Sequence, residues 1–228
     1  MQGNLDHSPI NPLPLAVWVL VLPIVAVEIV VQSGATGLVG GPTAIGWRSD
    51  AIQRFALSPE MLDQMIATGR WNADYAMRFV AYPFVHLSFV HALFTSVFIL
   101  ALGKMVGEVF HFWSVIAVFF VSAALGATVY SLVPGVRLAL VGAYPPAYGL
   151  IGAFTFILWA RLGAVNANRY RAFTLIGFLL AIQLLFGLLF GGGPDWIADV
   201  AAFAAGFGLS FVVAPGGPAA LLRHLRQR

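Results

Sequence analysis

FVHLSFVHALFTSVFILALGKMV, residues 84–106, is an almost unbroken apolar run. Its length is close to the roughly 20 residues that carry a helix across the hydrocarbon of a bilayer. Five further runs of the same character lie at about 13–33, 110–133, 144–163, 171–191 and 196–214. With 60% hydrophobic residues, 9% charged residues and a mean hydropathy of +0.89, the chain carries more apolar surface than a soluble core of this length can hide. The fold class is therefore all-α integral membrane, with six transmembrane helices.

An even number of spans puts both termini on one side, and the basic residues choose which. Lys104, Arg161, Arg169, Arg171, Arg223, Arg226 and Arg228 fall together on the terminal side, while the connection around Arg137 carries one positive charge and that around Asp195 and Asp199 none. Both termini are expected to be cytoplasmic. The first run follows Asp6 and His7 rather than a basic stretch and is too long for a signal-peptide core, so it reads as a retained anchor. The chain divides into an N-terminal segment (1–12), a membrane domain (13–214) and a basic tail (215–228), with no repeat and no low-complexity tract. The breakers Pro134-Gly135, Gly191-Gly192-Gly193-Pro194 and Pro215-Gly216-Gly217-Pro218 mark ends of spans.

Residues 34–83 form an external connection between the first two spans, rich in charges that include Arg48, Asp50, Arg54, Glu60, Asp63, Arg70, Asp74 and Arg78. Ser58-Pro59-Glu60 reads as a helix start, with Ser58 as cap and Met61, Leu62, Met65 and Ile66 following at helical spacing. An ordered loop lying on the membrane surface is expected.

Polar groups in hydrocarbon are costly and mark function. His91 and Thr95 share one face of the second span, with His86 at its boundary and Ser88 and Ser96 beside them. Glu28 lies mid-way along the first span, placed to face a water-filled crevice or to snorkel outward, and Gln183 lies in the fifth. The absence of cysteine excludes a thiol nucleophile, a disulfide and a thiolate metal site. His86 and His91, five apart and without a third ligand, do not make a zinc site, so no metal and no cofactor is expected. The net charge of +3 comes mainly from the cytoplasmic edge, where it meets anionic lipid, and does not call for nucleic acid.

Three segments carry a family resemblance. Arg78-Phe-Val-Ala-Tyr-Pro-Phe-Val-His86-Leu-Ser-Phe-Val-His91-Ala-Leu-Phe-Thr95 resembles the second-span entry of the rhomboid intramembrane serine proteases, where Trp-Arg is followed at set spacings by two histidines and an asparagine. Gly142-Ala143-Tyr144-Pro145-Pro146-Ala147-Tyr148-Gly149-Leu-Ile-Gly152-Ala153 is similar to that family's Gly-Ala-Ser-Gly-x-x-aromatic-Gly-Leu-x-Gly-Ala. Asp199-Val-Ala-Ala-Phe203-Ala-Ala-Gly206 resembles its sixth-span segment, in which a histidine precedes a glycine by three. The resemblance implies a rhomboid-like bundle with the external loop between its first two spans.

It also implies that the chemistry is lost. In the family the serine attacks the peptide, the sixth-span histidine takes its proton, and the second-span histidine and asparagine hold the oxyanion. On these matches the serine position is Tyr144, the histidine position Phe203, the asparagine position Thr95, and the tryptophan before Arg78 is Met77. A phenol is a poor acyl acceptor, phenylalanine has no proton chemistry, and Pro145 and Pro146 remove two backbone donors. Tyr148, at the family's aromatic position, is expected to stack on Phe203 and plug the site. A small-residue face of Ala198, Ala202, Gly206 and Ser210 is expected to let Gly149 and Gly152 approach closely.

The resemblance therefore implies a pseudoprotease that binds transmembrane segments or partner membrane proteins without cutting them, in a bacterial cytoplasmic membrane. His86, His91, Thr95, Tyr144, Tyr148 and Phe203 form its remnant or partner-binding site. The alternatives are a structural or accessory subunit of a larger membrane complex, an active peptidase using Ser88, Thr95 or Ser96 as a non-standard nucleophile, and a small transporter built on Glu28 and the histidines.

Overall fold

The computed structural model describes residues 12–216; nearly all of the N-terminal segment and the tail arginines Arg223, Arg226 and Arg228 lie outside them. The described residues form α1 (Leu15–Ala35), α2 (Trp47–Phe55), α3 (Pro59–Thr68), α4 (Ala73–Ala81), α5 (Phe89–Gly107), α6 (Phe112–Ser131), α7 (Tyr144–Ala164), α8 (Thr174–Phe190) and α9 (Trp196–Val213). Six of these, α1 and α5 to α9, are long and apolar enough to cross a membrane, the fifth span being counted from the 3₁₀ turn at Arg169 that leads into α8. The protein is a multi-pass integral membrane protein, as its composition required.

Helices α6, α7 and α9 form the centre, and small residues set how closely they lie. Ala198, Ala202, Gly206 and Ser210 all point inward from α9 and are buried. At Gly206 an added Cβ would run into the Gly149 carbonyl oxygen of α7, and at Gly152 it would run into the Phe203 carbonyl oxygen of α9. On the other flank Gly126 of α6 leaves room for the Ala198 carbonyl, 2.7 Å from where its Cβ would stand. Two backbones in contact gain dispersion along their whole length, the main source of helix association where lipid is as apolar as the side chains. Pro145 and Pro146 sit in the first turn of α7, where a helix has no intrahelical use for those N–H groups, so they fix the start of the helix instead of breaking it.

Helices α1 and α5 pack on one side of this centre. By contrast α8 is peripheral. Among its described side chains only Ile176 is buried, and Phe178, Leu185 and Leu188 face outward.

The connection between α1 and α5 is ordered, as expected, and is pinned at several points. α3 does begin at Pro59 after Ser58, but the Ser58 hydroxyl makes no capping bond; its carbonyl instead accepts from the Tyr75 hydroxyl at 2.9 Å. Leu62 and Met65 are buried with Tyr75, Tyr82 and Tyr130 over the end of α6, whereas Ile66 faces out. Leu57 and Leu140 exchange backbone hydrogen bonds at 3.1 and 2.8 Å, tying the loop to the segment that precedes α7. For Glu28 the outward snorkel is corrected. It is buried beside a largely apolar cleft between α1 and α5, and Arg48 of α2 reaches in and pairs with both its oxygens, at 2.5 and 3.0 Å. The apolar run showed an acid inside a span; it gave no hint that a loop arginine twenty residues on would cover it.

Gly206→Ala is expected to lower the unfolding free energy in detergent by about 1–3 kcal/mol, because the new methyl meets backbone that cannot move aside. Gly208→Ala, at a position where a Cβ meets nothing within 4 Å, should cost nothing in the same thermal melt.

Candidate functional site

Two polar clusters lie one above the other near the loop end of the bundle. The upper one is built from the segment before α5, the first turns of α5 and the start of α7. Ser88 caps α5 by accepting from the His91 N–H at 3.2 Å, and this fixes the turn that brings both histidines inward. His86 is buried, and its Nε2 accepts from the Ala143 N–H at 3.4 Å and lies 3.0 Å from the Thr95 hydroxyl. Thr95 also bonds back to the His91 carbonyl at 3.0 Å, as hydroxyls inside membrane helices do. The His86 carbonyl accepts from Arg48 at 2.9 Å, so the Glu28–Arg48 pair reaches into this cluster and holds its backbone.

His91 meets the His86 ring edge-on at 5.0 Å between centroids, and its other side is covered by Tyr144. The tyrosine ring lies nearly parallel to the imidazole, 5.0 Å away and inclined by 17°, while Phe98 meets Tyr144 edge-on at 6.3 Å. Gly142 makes this approach possible. Its φ of +93° lies in the left-handed region, and a Cβ there would stand 2.5 Å from His91 Cε1 and Nε2.

The lower cluster joins three spans. The Tyr148 hydroxyl, one turn into α7, donates to Gln183 Oε1 of α8 at 3.1 Å, and Gln183 Nε2 donates to Asp199 Oδ2 of α9 at 2.8 Å. Asp199 is 2% exposed, and its second oxygen, Oδ1, has no hydrogen-bond partner.

A model of the Rhomboid domain matches residues 73–216. The chain belongs to the rhomboid family. The match runs from the first turn of α4 to just beyond α9 and so takes in five of the six spans. A comparison with curated proteins finds no match.

Within this rhomboid fold, four of the six expected site residues come together in the upper cluster, His86, His91, Thr95 and Tyr144, while Tyr148 belongs to the lower one. Phe203 does not join them. Its ring packs 6.4 Å from Phe173 and 6.4 Å from Phe207, and the expected stack with Tyr148 is replaced by the Tyr148–Gln183 hydrogen bond. The α9 side chain that meets the α7 site is Asp199, one turn earlier. The sequence allowed both registers, because small residues recur every fourth position on α9. Matching the family's His-x-x-Gly on Gly206 selects Phe203, while matching it on Ala202 selects Asp199. Its place near the start of the run makes Asp199 look like a connecting-loop acid, and a carboxylate inside the sixth apolar run is the signal that marks it.

His86 lies just outside α5. Burial first, then its neighbours His91 and Arg48, push its pKa down to about 3. In the unfolded chain the imidazole titrates near 6.5. Between those values the unfolded state binds the extra proton, so stability is full above pH about 6.5 and is lost as pH falls towards about 3. Lowering the pH from 7 to 4 should cost roughly 3 kcal/mol through this group alone. Thermal melts of the purified protein across that range should show the slope, and His86→Asn should remove most of it.

Proposed function

We propose that this chain is a rhomboid-like pseudoprotease, which holds transmembrane segments or partner membrane proteins and does not cleave them. The observation that carries the reading is the Tyr144 ring laid over His91, so that the residue in the family's nucleophile position is stacked on the residue that would help hold the oxyanion. The surroundings support it. Pro145 and Pro146 offer no backbone donors, and His86 is engaged with Ala143 and Thr95 and held neutral. Asp199, with its Oδ2 bonded to Gln183, stands where a proton-accepting imidazole would be needed. The candidate substitute nucleophiles are otherwise occupied, which favours the same reading. Ser88 is used as a helix cap, Thr95 is buried and, although 3.0 Å from His86 Nε2, has the His91 carbonyl of its own helix equally close, and among the described residues no hydrogen bond joins Ser96 to a histidine.

The basic residues favour both termini inside, since Lys104, Arg161, Arg169 and Arg171 share the terminal end of the bundle, and the alanine-rich helices suit a bacterial cytoplasmic membrane. A second reading, a fixed subunit of a larger complex, draws on Leu38, Ile66 and Trp71, which the ordered loop presents to the outside. Purification from native membranes separates the two, a single stoichiometric partner favouring the subunit and a spread of partners favouring the binder.

Detergent-purified protein should take up no fluorophosphonate probe, and a Tyr144→Ser variant should leave a rhomboid substrate uncut, because the site was rebuilt around more than one residue. Cleavage by that variant, or labelling of the unaltered protein that disappears on changing Ser88 or Ser96, would overturn the proposal.

A further inference from the structure

Asp199 raises a question that the loss of catalysis does not answer. A carboxyl oxygen buried without a donor is costly, and more so between membrane spans. Gln183 satisfies Oδ2, but Oδ1 faces no donor. The ion pairs among the described residues are Arg48–Glu28 and Arg137–Glu60, so no described arginine or lysine is paired with Asp199.

The route to that oxygen runs past α8. Within the bundle α8 is the most weakly held span, with Ile176 as its buried anchor and Gln183 as its polar link to α7 and α9. Behind α8 lie the half-buried Gln183 and the buried Tyr148 and Asp199, so a helix in the lipid reaches Asp199 only where α8 gives way.

We propose that Asp199 is the docking point for a basic side chain carried by a bound transmembrane helix; this rests on the binding reading above and names the chemistry that the partner must bring. A lysine or arginine in a membrane helix faces the same desolvation cost as the unpartnered carboxyl, and pairing them offsets both. Because Asp199 lies one turn into α9 from the loop end, the partner's basic residue belongs about one turn inside its own span at that end. The amide of Gln183 closes the site when no helix is bound and gives way when α8 moves.

The test uses two synthetic single-span helices of alanine and leucine, one with a lysine a turn inside the loop-side end and one with leucine there. Each carries a fluorophore, and binding to the labelled full chain is read by energy transfer in proteoliposomes. The unaltered protein should bind the lysine helix about tenfold more tightly than the leucine helix. Asp199→Asn, which keeps an acceptor for Gln183 and whose fold is checked by thermal unfolding, should bind the two alike. Equal binding by the unaltered protein, or a lysine preference that survives in Asp199→Asn, overturns the inference while leaving the binding reading intact. Binding of neither helix overturns both.

Discussion

Everything in this bundle depends on the close passage of α9 across α7. Gly206 lies against the Gly149 carbonyl and Gly152 against the Phe203 carbonyl, at distances that no side chain would permit. Ala198 and Ala202 extend the same face to α6 through Gly126. With backbones in contact, the residues at the loop end of each helix are fixed relative to one another. That is how Tyr144 and Tyr148 on α7 come to share a site with Asp199 on α9.

Around this contact a chain of polar groups is paired, as a low-dielectric setting favours. Glu28 is neutralised by Arg48, which goes on to hold the His86 carbonyl, and His86 in turn joins Thr95 to the Ala143 backbone. The external loop therefore acts as a lid whose arginine reaches into the membrane domain and orients the entry to α5. Such a frame would serve a protease by holding its catalytic groups in place. Here the same frame holds a stacked tyrosine and imidazole. Both clusters also hold a buried atom without a partner, His91 Nε2 in the upper one and Asp199 Oδ1 in the lower one, the latter beside the loosest span.

The six spans, the ordered loop, the helix start at Pro59 and the small-residue face of α9 were all legible in the sequence, because each follows from a local property: run length, charge density, a proline, a four-residue period. So were the neighbours His86, His91, Thr95 and Tyr144, through spacing and family pattern. What the sequence hid was long-range. Glu28 finds its partner across a loop, and Tyr148 finds Gln183 on a different span, neither of which a periodicity encodes. The register on α9 was hidden for a different reason. A four-residue repeat of small side chains offers two equivalent matches, and only the contact with α7 tells Asp199 from Phe203.

The role proposed for this rhomboid frame is to bind a helix and leave it whole. The most direct measurement places a rhomboid substrate helix, labelled at both ends, with the full chain in proteoliposomes, and follows association by energy transfer and integrity by gel on the same sample. This account predicts association with the helix recovered at full length. Accumulation of two fragments, at a rate that depends on the amount of this protein, would contradict it.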